Sequence, residues 1–290
     1  MRLGVMVLPT DRTMPPAALA RAVEDRGLAS LFLPEHTHIP TSRRTPYPGG
    51  EPLKEEFRRL LDPLVALSMA AAVTSTIELG TGIMLVNEHD HIALAKAIST
   101  LDHLSGGRFV LGAGFGWNED EMEHHGVDPR RRRAVFREKV LAMIELWTQE
   151  EASFQGDHVS FSPSWQWPKP ARKPHPPILL GGGAGPGFFK HIVEYADGWL
   201  PIGGAGLIDD IAALRQAAED AGRDPDDLSI NIFGTKPDPG KFEHFRSIGI
   251  DRVVMGLPPA ERFSDIRGAT AEQILPVLDG YAALVEKFQD

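Results

Sequence analysis

The chain of 290 residues is long enough to bury a large core, and its apolar content of 42% and charged content of 24% are typical of a globular protein. Its formal charge of −10 disfavours binding to nucleic acid or to an anionic membrane surface, because the average field repels phosphate. The absence of cysteine excludes disulfides, zinc–thiolate sites and cysteine nucleophiles, and the absence of a long apolar run predicts a cytoplasmic protein without a membrane span or cleavable leader.

Strand-like apolar runs alternate with helix-like periods along the chain. Pro15 and Pro16 begin the first helix and Gly27 ends it, while Asp62 and Pro63 begin the second. The predicted strands are residues 2–8, 31–33, 77–86, 108–112, 178–180, 198–202, 228–233 and 251–255. The predicted helices are residues 15–27, 62–74, 91–105, 131–148, 186–196, 207–222, 239–249 and 270–288.

Eight strand–helix units predict an α/β fold of the (β/α)8 or TIM-barrel type, with residues 1–290 in a single domain. The strands are rich in valine, isoleucine and leucine, as strands buried on both faces must be. A doubly wound open sheet is the alternative, but no GxGxxG follows the first strand. Two segments interrupt the alternation: a long loop at 34–61, and an insertion at 149–177 for which a short hairpin around Gly156-Asp157 is expected.

The carboxyl ends of barrel strands are where ligands bind, and three of these ends are rich in glycine. They are residues 112–121, 181–187 and Gly203-Gly204. The GGGAGPG segment at 181–187 precedes a helix, so its backbone N–H groups and the helix dipole predict an anion site of the kind that binds a phosphate. A simple tight turn is the alternative for one such segment, whereas three together indicate a broad ligand slot.

His36 follows the second strand within Pro34-Glu35-His36-Thr37-His38 and is the candidate catalytic residue. An imidazole at a strand end titrates near neutral pH and can transfer a proton, although an ordinary loop residue is the alternative. The pair His36-x-His38 also matches two-metal barrel hydrolases, but later strands end in glycine, proline and isoleucine rather than in further ligands. No metal is therefore predicted, and His91 in the cluster His89-Asp90-His91 is expected to begin a helix.

Two further features allow more than one interpretation. The basic run Arg130–Arg133 opposes the dipole at a helix start, so either Asp128 or an anionic ligand tail compensates it. Trp165 and Trp167 either line the pocket or pack the insertion down.

Four parts of the sequence resemble the luciferase-like flavin and deazaflavin oxidoreductases. They are SLFLPEHTHIPT, the run IELGTGIMLVNEHDHIALAKAISTLDHLSGGRFVLGAGFGWNEDE, the helix end MIELWTQE, and PPILLGGGAGP with YADGWLPIG. The LDHLSGGR…LGAGFGW run is the most specific, and the C-terminal third is less diagnostic. The resemblance implies a luciferase-like barrel with an insertion between its fourth helix and fifth strand, and it favours the branch that depends on coenzyme F420, an 8-hydroxy-5-deazaflavin.

The resemblance also implies roles for individual residues. His36 matches the proton-transfer base, Gly82-Ile83 matches a non-proline cis peptide beneath the cofactor ring, and Gly181–Gly183 match the phosphate loop. Glu35 is a second catalytic candidate that either orients His36 or points into the protein. The implied cofactor-binding residues are His36, Thr81, Gly82, Ile83, Gly114, Gly116, Leu180, Gly181, Gly182 and Gly183.

Departures from the family pattern bear on the substrate. His89-Asp90-His91 replaces an Arg-x-Pro, Trp117 stands where the sugar-phosphate enzymes have a glutamate, and their substrate-phosphate lysines have no clear match. The expected function is hydride transfer between F420 and an unknown small organic substrate, with His36 as the proton-transfer partner, and these departures disfavour a sugar phosphate as that substrate. The alternatives are a monooxygenase that uses reduced FMN and oxygen, a non-catalytic flavin-binding protein, and a metal-dependent barrel hydrolase.

The resemblance further implies partners for the chain. A homodimer formed through the alanine-rich second helix (LSMAAAV, 67–73) is expected, and a separate flavin or F420 reductase is a further candidate partner.

Overall fold

The computed structural model describes residues 1–50, 52–203, 206–258 and 267–289, and within these ranges eight parallel strands close into a barrel. The strands are β1 Arg2–Met6, β2 Ser30–Leu33, β3 Glu78–Thr81, β4 Phe109–Ala113, β5 Ala152–Gln155, β6 Ser160–Ser164, β7 Ile178–Gly181, β8 Gly198–Leu200, β9 Ser229–Thr235 and β10 Arg252–Gly256. Around the barrel they run in the order β1-β10-β9-β8-β7-β4-β3-β2. The predicted (β/α)8 barrel is confirmed.

Helices cover the outside of the barrel. They are α1 Pro16–Glu24, α2 Pro63–Ala71, α3 His91–Ser105, α4 Glu119–His124, α5 Arg132–Thr148, α6 Pro186–Tyr195, α7 Leu207–Asp220, α8 Pro239–Ser247 and α9 Ala271–Phe288. The expected helix start at His91 is confirmed, with Asp90 as its N-cap. Within the described ranges, none of the helices combines the length and apolar character needed to cross a bilayer.

The core has two layers because successive strand residues point to opposite faces. Phe32, Val110, Leu179 and Leu200 belong to a small apolar cluster inside the barrel, which also contains Phe233. Their chain neighbours face the helices in a much larger cluster. The inner cluster fills the middle of the barrel, so a ligand is expected at the carboxyl ends of the strands.

The amino end of the barrel is closed by a buried ion pair. Arg252 is 2% exposed and donates to Glu78, which also accepts from Arg2 and Arg172. Burial lowers the pKa of Arg252 to about 10, although the negative charge of Glu78 acts in the opposite direction and raises it. The pair stabilises the end of the barrel opposite to the ligand space.

Both interruptions predicted from the sequence adopt local structure. The loop at 34–61 contains a 3₁₀ turn at Glu55–Arg59 and bridges to the end of β1 through Leu60 and Thr10. The insertion at 149–177 contains the antiparallel hairpin β5–β6, as expected around Gly156-Asp157. Glu138 holds the turn by accepting the backbone N–H groups of residues 157–159.

Candidate active site

A cavity of about 640 Å³ opens at the carboxyl ends of β2, β3, β4 and β7. Most of its wall is apolar or aromatic, and the loop at 34–61 covers one side. The lining includes Tyr47, Phe57, Leu85, Phe115, Trp117, Leu200 and Phe233. Seven predicted site residues also line it: Glu35, His36, Gly82, Ile83, Gly116, Gly181 and Gly182. A cavity of this volume and character is typical of a site for a flat organic molecule.

Three residues expected to bind the cofactor lie behind this wall instead. Thr81 is fully buried and donates through Oγ1 to the carbonyl of Gly112 on the next strand. Leu180 faces the helices, since the strand alternation turns Leu179 into the barrel and Leu180 out of it. Gly114 lies beneath the side chain of Ile83.

The predicted phosphate loop forms the wall of a second cavity of about 290 Å³. Gly182 and Ile202 line both cavities, so the two are contiguous, and Gly183 lines the second. A Cβ built on Gly183 would meet no atom within 4 Å, so the backbone there faces open space. Gly204, also expected at this strand end, lies outside the described residues.

Ile83 forms the floor of the first cavity. The peptide bond between Gly82 and Ile83 is cis, as the family resemblance implies. A Cβ on Gly114 would lie 2.3 Å from Ile83 Cδ1, and one on Gly181 would lie 2.9 Å from Ile83 Cγ2. A side chain at either position would have to displace Ile83, which packs directly onto the backbone at the ends of β4 and β7.

The His36 side chain is 5% exposed and is held by groups on both ring nitrogens. Nδ1 lies 2.7 Å from Glu121 Oε2, and Trp117 Nε1 donates to Nε2 over 3.2 Å. Because an indole N–H can only donate, Nε2 is the unprotonated nitrogen and Nδ1–H donates to the carboxylate. Burial alone would raise the pKa of Glu121, but the hydrogen bond and charge of His36 outweigh it and hold that pKa below its usual range.

Glu35 does not orient His36. Its Oε2 accepts the backbone N–H of Leu85 over 2.6 Å, and its Oε1 lies 2.8 Å from His89 Nε2. Burial lowers the pKa of His89, but the hydrogen bond and charge of Glu35 outweigh it and raise that pKa above the ordinary value. Of the two roles considered for Glu35, the structure supports the one in which it points into the protein.

A third buried carboxyl, Glu88, lies beside Glu35 and Glu121. Glu35, Glu88 and Glu121 are each at most 5% exposed. Burial raises the pKa of Glu88 to about 10, and the charges of Glu121 and Glu35 add to the effect. Glu88 is therefore protonated at neutral pH and donates to the Glu121 carboxylate.

Sequence reasoning missed Glu121 as the partner of His36. It lies on α4, a helix of six residues that was not predicted. The signal was present: Asn118 precedes three acidic residues, Glu119, Asp120 and Glu121, as at many helix starts. The run was interpreted as the end of a glycine-rich strand segment instead.

The remaining candidates lie outside the His36 centre. Among the described residues, no three or more histidine, aspartate or glutamate side chains are grouped to hold a metal ion. Arg130 is paired with Asp128, and Arg133 lies over the Phe115 ring at the cavity mouth. The Trp165 and Trp167 side chains are exposed and do not line the cavity.

The family model for the luciferase-like monooxygenases matches residues 2–235. The chain belongs to this family. An uncharacterized protein of Mycobacterium tuberculosis is 43% identical over 280 residues, which cover 94% of this chain and 97% of that protein. The F420-dependent glucose-6-phosphate dehydrogenase of Kineococcus radiotolerans is 28% identical over 216 residues, which cover 71% of this chain and 59% of that enzyme.

Solved structures of luciferase-like proteins share the fold. The F420-dependent secondary alcohol dehydrogenase in complex with an F420–acetone adduct matches with a TM-score of 0.72 and 17% identity, covering 96% of this chain and 98% of that one. A further match was found by sequence rather than by structure. The FMNH2-dependent dimethylsulfone monooxygenase of Pseudomonas putida is 37% identical over 93 residues, which cover 30% of this chain and 25% of that enzyme. The family therefore contains both F420-dependent and FMN-dependent enzymes.

Proposed function

We propose that this luciferase-like protein is an F420-dependent oxidoreductase that interconverts a hydroxyl and a carbonyl group on a small organic substrate, with His36 as the proton-transfer residue. One observation carries the proposal: Glu121 fixes the imidazole with its unprotonated Nε2 at the wall of an apolar cavity. A base placed this way can take a proton from a bound hydroxyl group. The matched F420-dependent dehydrogenase supports the choice of cofactor.

The residues of the two contiguous cavities fit a deazaflavin. The apolar floor at Ile83 and the walls at Leu85 and Phe233 suit a flat ring system. Gly182 and Gly183 precede α6, whose N-terminus favours an anion such as the cofactor phosphate. The open space at Gly183 leaves room for such a group beside the backbone.

When bound, the deazaflavin supplies a hydride acceptor or donor. In the direction of alcohol oxidation, His36 Nε2 takes the hydroxyl proton, and the Trp117 N–H gives way to the substrate at that nitrogen. Glu121 accepts from Nδ1–H throughout, so it stabilises the imidazolium that forms and keeps the ring oriented. The aromatic wall of Tyr47, Phe57 and Trp117 limits water around the reacting groups.

A monooxygenase that uses reduced FMN is the second candidate. The match to the FMNH2-dependent monooxygenase supports it, although that match is confined to 30% of the chain. The same floor and the same phosphate loop would accommodate FMN.

Titration of the purified, cofactor-free protein separates them. F420 and FMN are each added in the dark, and binding is followed through the change in cofactor fluorescence. The proposal predicts a dissociation constant for F420 in the range of about 1 μM and binding of FMN that is about tenfold weaker or more. Tighter binding of FMN supports the monooxygenase instead, and binding of neither contradicts both candidates.

A further inference from the structure

Four consecutive arginines lie at the start of α5, where the helix dipole disfavours positive charge. Two of them have acidic partners. Arg130 is paired with Asp128 over 3.0 Å, and Arg132 is paired with Glu119 over 3.1 Å. Among the residues that the structure describes, no carboxylate lies within ion-pair distance of Arg133. Asp128 therefore compensates only part of the basic run, and Arg133 keeps its charge for a ligand.

The guanidinium group of Arg133 lies at the mouth of the ligand cavity. It is part of the cavity lining, and its Cζ lies 5.4 Å from the centre of the Phe115 ring. A Cβ built on Gly187 would lie 3.6 Å from Arg133 Nη1. Gly187 is the second residue of α6, so the guanidinium lies beside the first turn of the helix that follows the proposed phosphate loop.

The two sides of the α6 N-terminus carry opposite charges. On the side of α5 lies Arg133, whose charge adds to burial in lowering the pKa of His191, one turn further along α6. On the side of α7, the first helical turn carries Asp209 and Asp210, and Asp210 lines the cavity at the phosphate loop. An anionic group that extends beyond the phosphate is therefore attracted towards α5 and repelled from α7.

The position of Arg133 bears on the difference between the two candidate cofactors. FMN ends at its phosphate, whereas the phosphate of F420 is esterified to lactate, which carries a chain of glutamates. F420 therefore presents carboxylates beyond the phosphate, and FMN does not. A guanidinium group binds a carboxylate through two parallel N–H···O hydrogen bonds, which are stronger than hydrogen bonds between neutral groups.

We infer that Arg133 is a specificity-determining residue that binds a carboxylate of the glutamyl tail of F420, so that the tail leaves the cavity between α5 and α6. The inference rests on the proposed F420-dependent function and names the residue that favours F420 over FMN. The loop of Gly182 and Gly183 would bind a phosphate, which both cofactors have. Arg133 lines the first cavity and Gly183 the second, so the guanidinium lies to one side of the phosphate position, where the tail continues.

The test is a fluorescence titration of the cofactor-free protein with three compounds. They are F420, FMN, and the 8-hydroxy-5-deazaflavin analogue of riboflavin, which has neither phosphate nor tail. In Arg133→Gln the dissociation constant of F420 is expected to rise by about tenfold, because a charge-assisted contact is lost. The dissociation constants of FMN and of the tail-free deazaflavin are expected to stay within about twofold of the wild-type values.

Arg131→Gln is the matched control. It removes the same charge from an exposed arginine of the same run that is not part of the cavity lining. Its dissociation constants for all three compounds should stay within about twofold of those of the wild type. Because the Arg133 side chain is also exposed, both variants should unfold at the wild-type melting temperature.

Three outcomes overturn the inference. One is an unchanged affinity of Arg133→Gln for F420. Another is an equal loss of affinity for F420 and FMN, which would place Arg133 at the phosphate. The third is an equal loss for F420 in Arg131→Gln, which would show only a general effect of surface charge. Failure of the proposed function gives a different result, because the wild-type protein itself would then not bind F420.

Discussion

The replacement Glu88→Gln tests the electrostatics of the buried carboxyl layer. Glutamine keeps the size of the side chain, can donate to Glu121 as the protonated carboxyl does, and can still accept from Thr37 Oγ1. The variant loses only the ability to ionise. Its effect on stability is therefore expected to depend on pH, and the direction follows from the raised pKa of Glu88.

In the folded protein Glu88 keeps its proton up to about pH 10, whereas in the unfolded chain it releases the proton above the ordinary value of 4.5. Between these values the unfolded state binds one proton fewer, so the free energy of unfolding falls as the pH rises, by about 1.4 kcal/mol per pH unit from this group. Glutamine lacks this dependence. The free energy of unfolding of the variant should therefore rise relative to that of the wild type by about 3 kcal/mol between pH 5.5 and pH 7.5.

Urea unfolding followed by circular dichroism at pH 5.5, 6.5 and 7.5 measures this difference. Glu151→Gln, which replaces an exposed carboxylate, is the matched control and should follow the wild-type curve at each pH. A constant difference between Glu88→Gln and the wild type across the three pH values would contradict a protonated Glu88. So would a variant that loses stability relative to the wild type as the pH rises.

Three further predictions concern the base, the phosphate loop and the closed end of the barrel. His36→Ala should bind F420 as the wild type does, and its turnover with any substrate identified should fall by about 10²-fold. Full activity of this variant would show that His36 does not transfer the proton. Gly183→Ala should leave the melting temperature unchanged, since the new methyl group meets no atom, and weaken F420 binding by about tenfold in the fluorescence titration. Unchanged F420 affinity would place the phosphate elsewhere. Glu78→Ala should lower the free energy of unfolding in urea by about 3 kcal/mol, because it leaves Arg252 buried without its partner; a loss below about 1 kcal/mol would show that the pair is not needed.

The parts of the site that follow strands directly could be predicted from the sequence. His36 follows β2, the Gly82–Ile83 peptide follows β3, and Gly181 and Gly182 end β7. In a parallel barrel, these positions lie at the same rim, independently of the conformation of the loops. The sequence therefore predicts that these residues lie together, and the structure places them around one cavity.

Contacts between distant segments could not be predicted in this way. Glu121 is 85 residues from His36, and only the short helix α4 turns it towards the imidazole. The sequence offers the neighbouring Glu35 as one candidate for orienting His36, but its side chain points into the protein, towards Leu85 and His89. Similarly, Leu180 was expected at the cofactor, but strand alternation turns it to the helices. Such errors arise because adjacency in sequence does not fix the direction of a side chain.

The central claim is that the cavity beside His36 binds F420 with its ring over Ile83 and its phosphate at the loop of Gly182 and Gly183. A crystal structure of the protein with bound F420 tests this most directly. The account predicts electron density for the ring against Ile83, within reach of His36, and for the phosphate at the start of α6. Density for F420 at any other surface, with this cavity left to solvent, would contradict it.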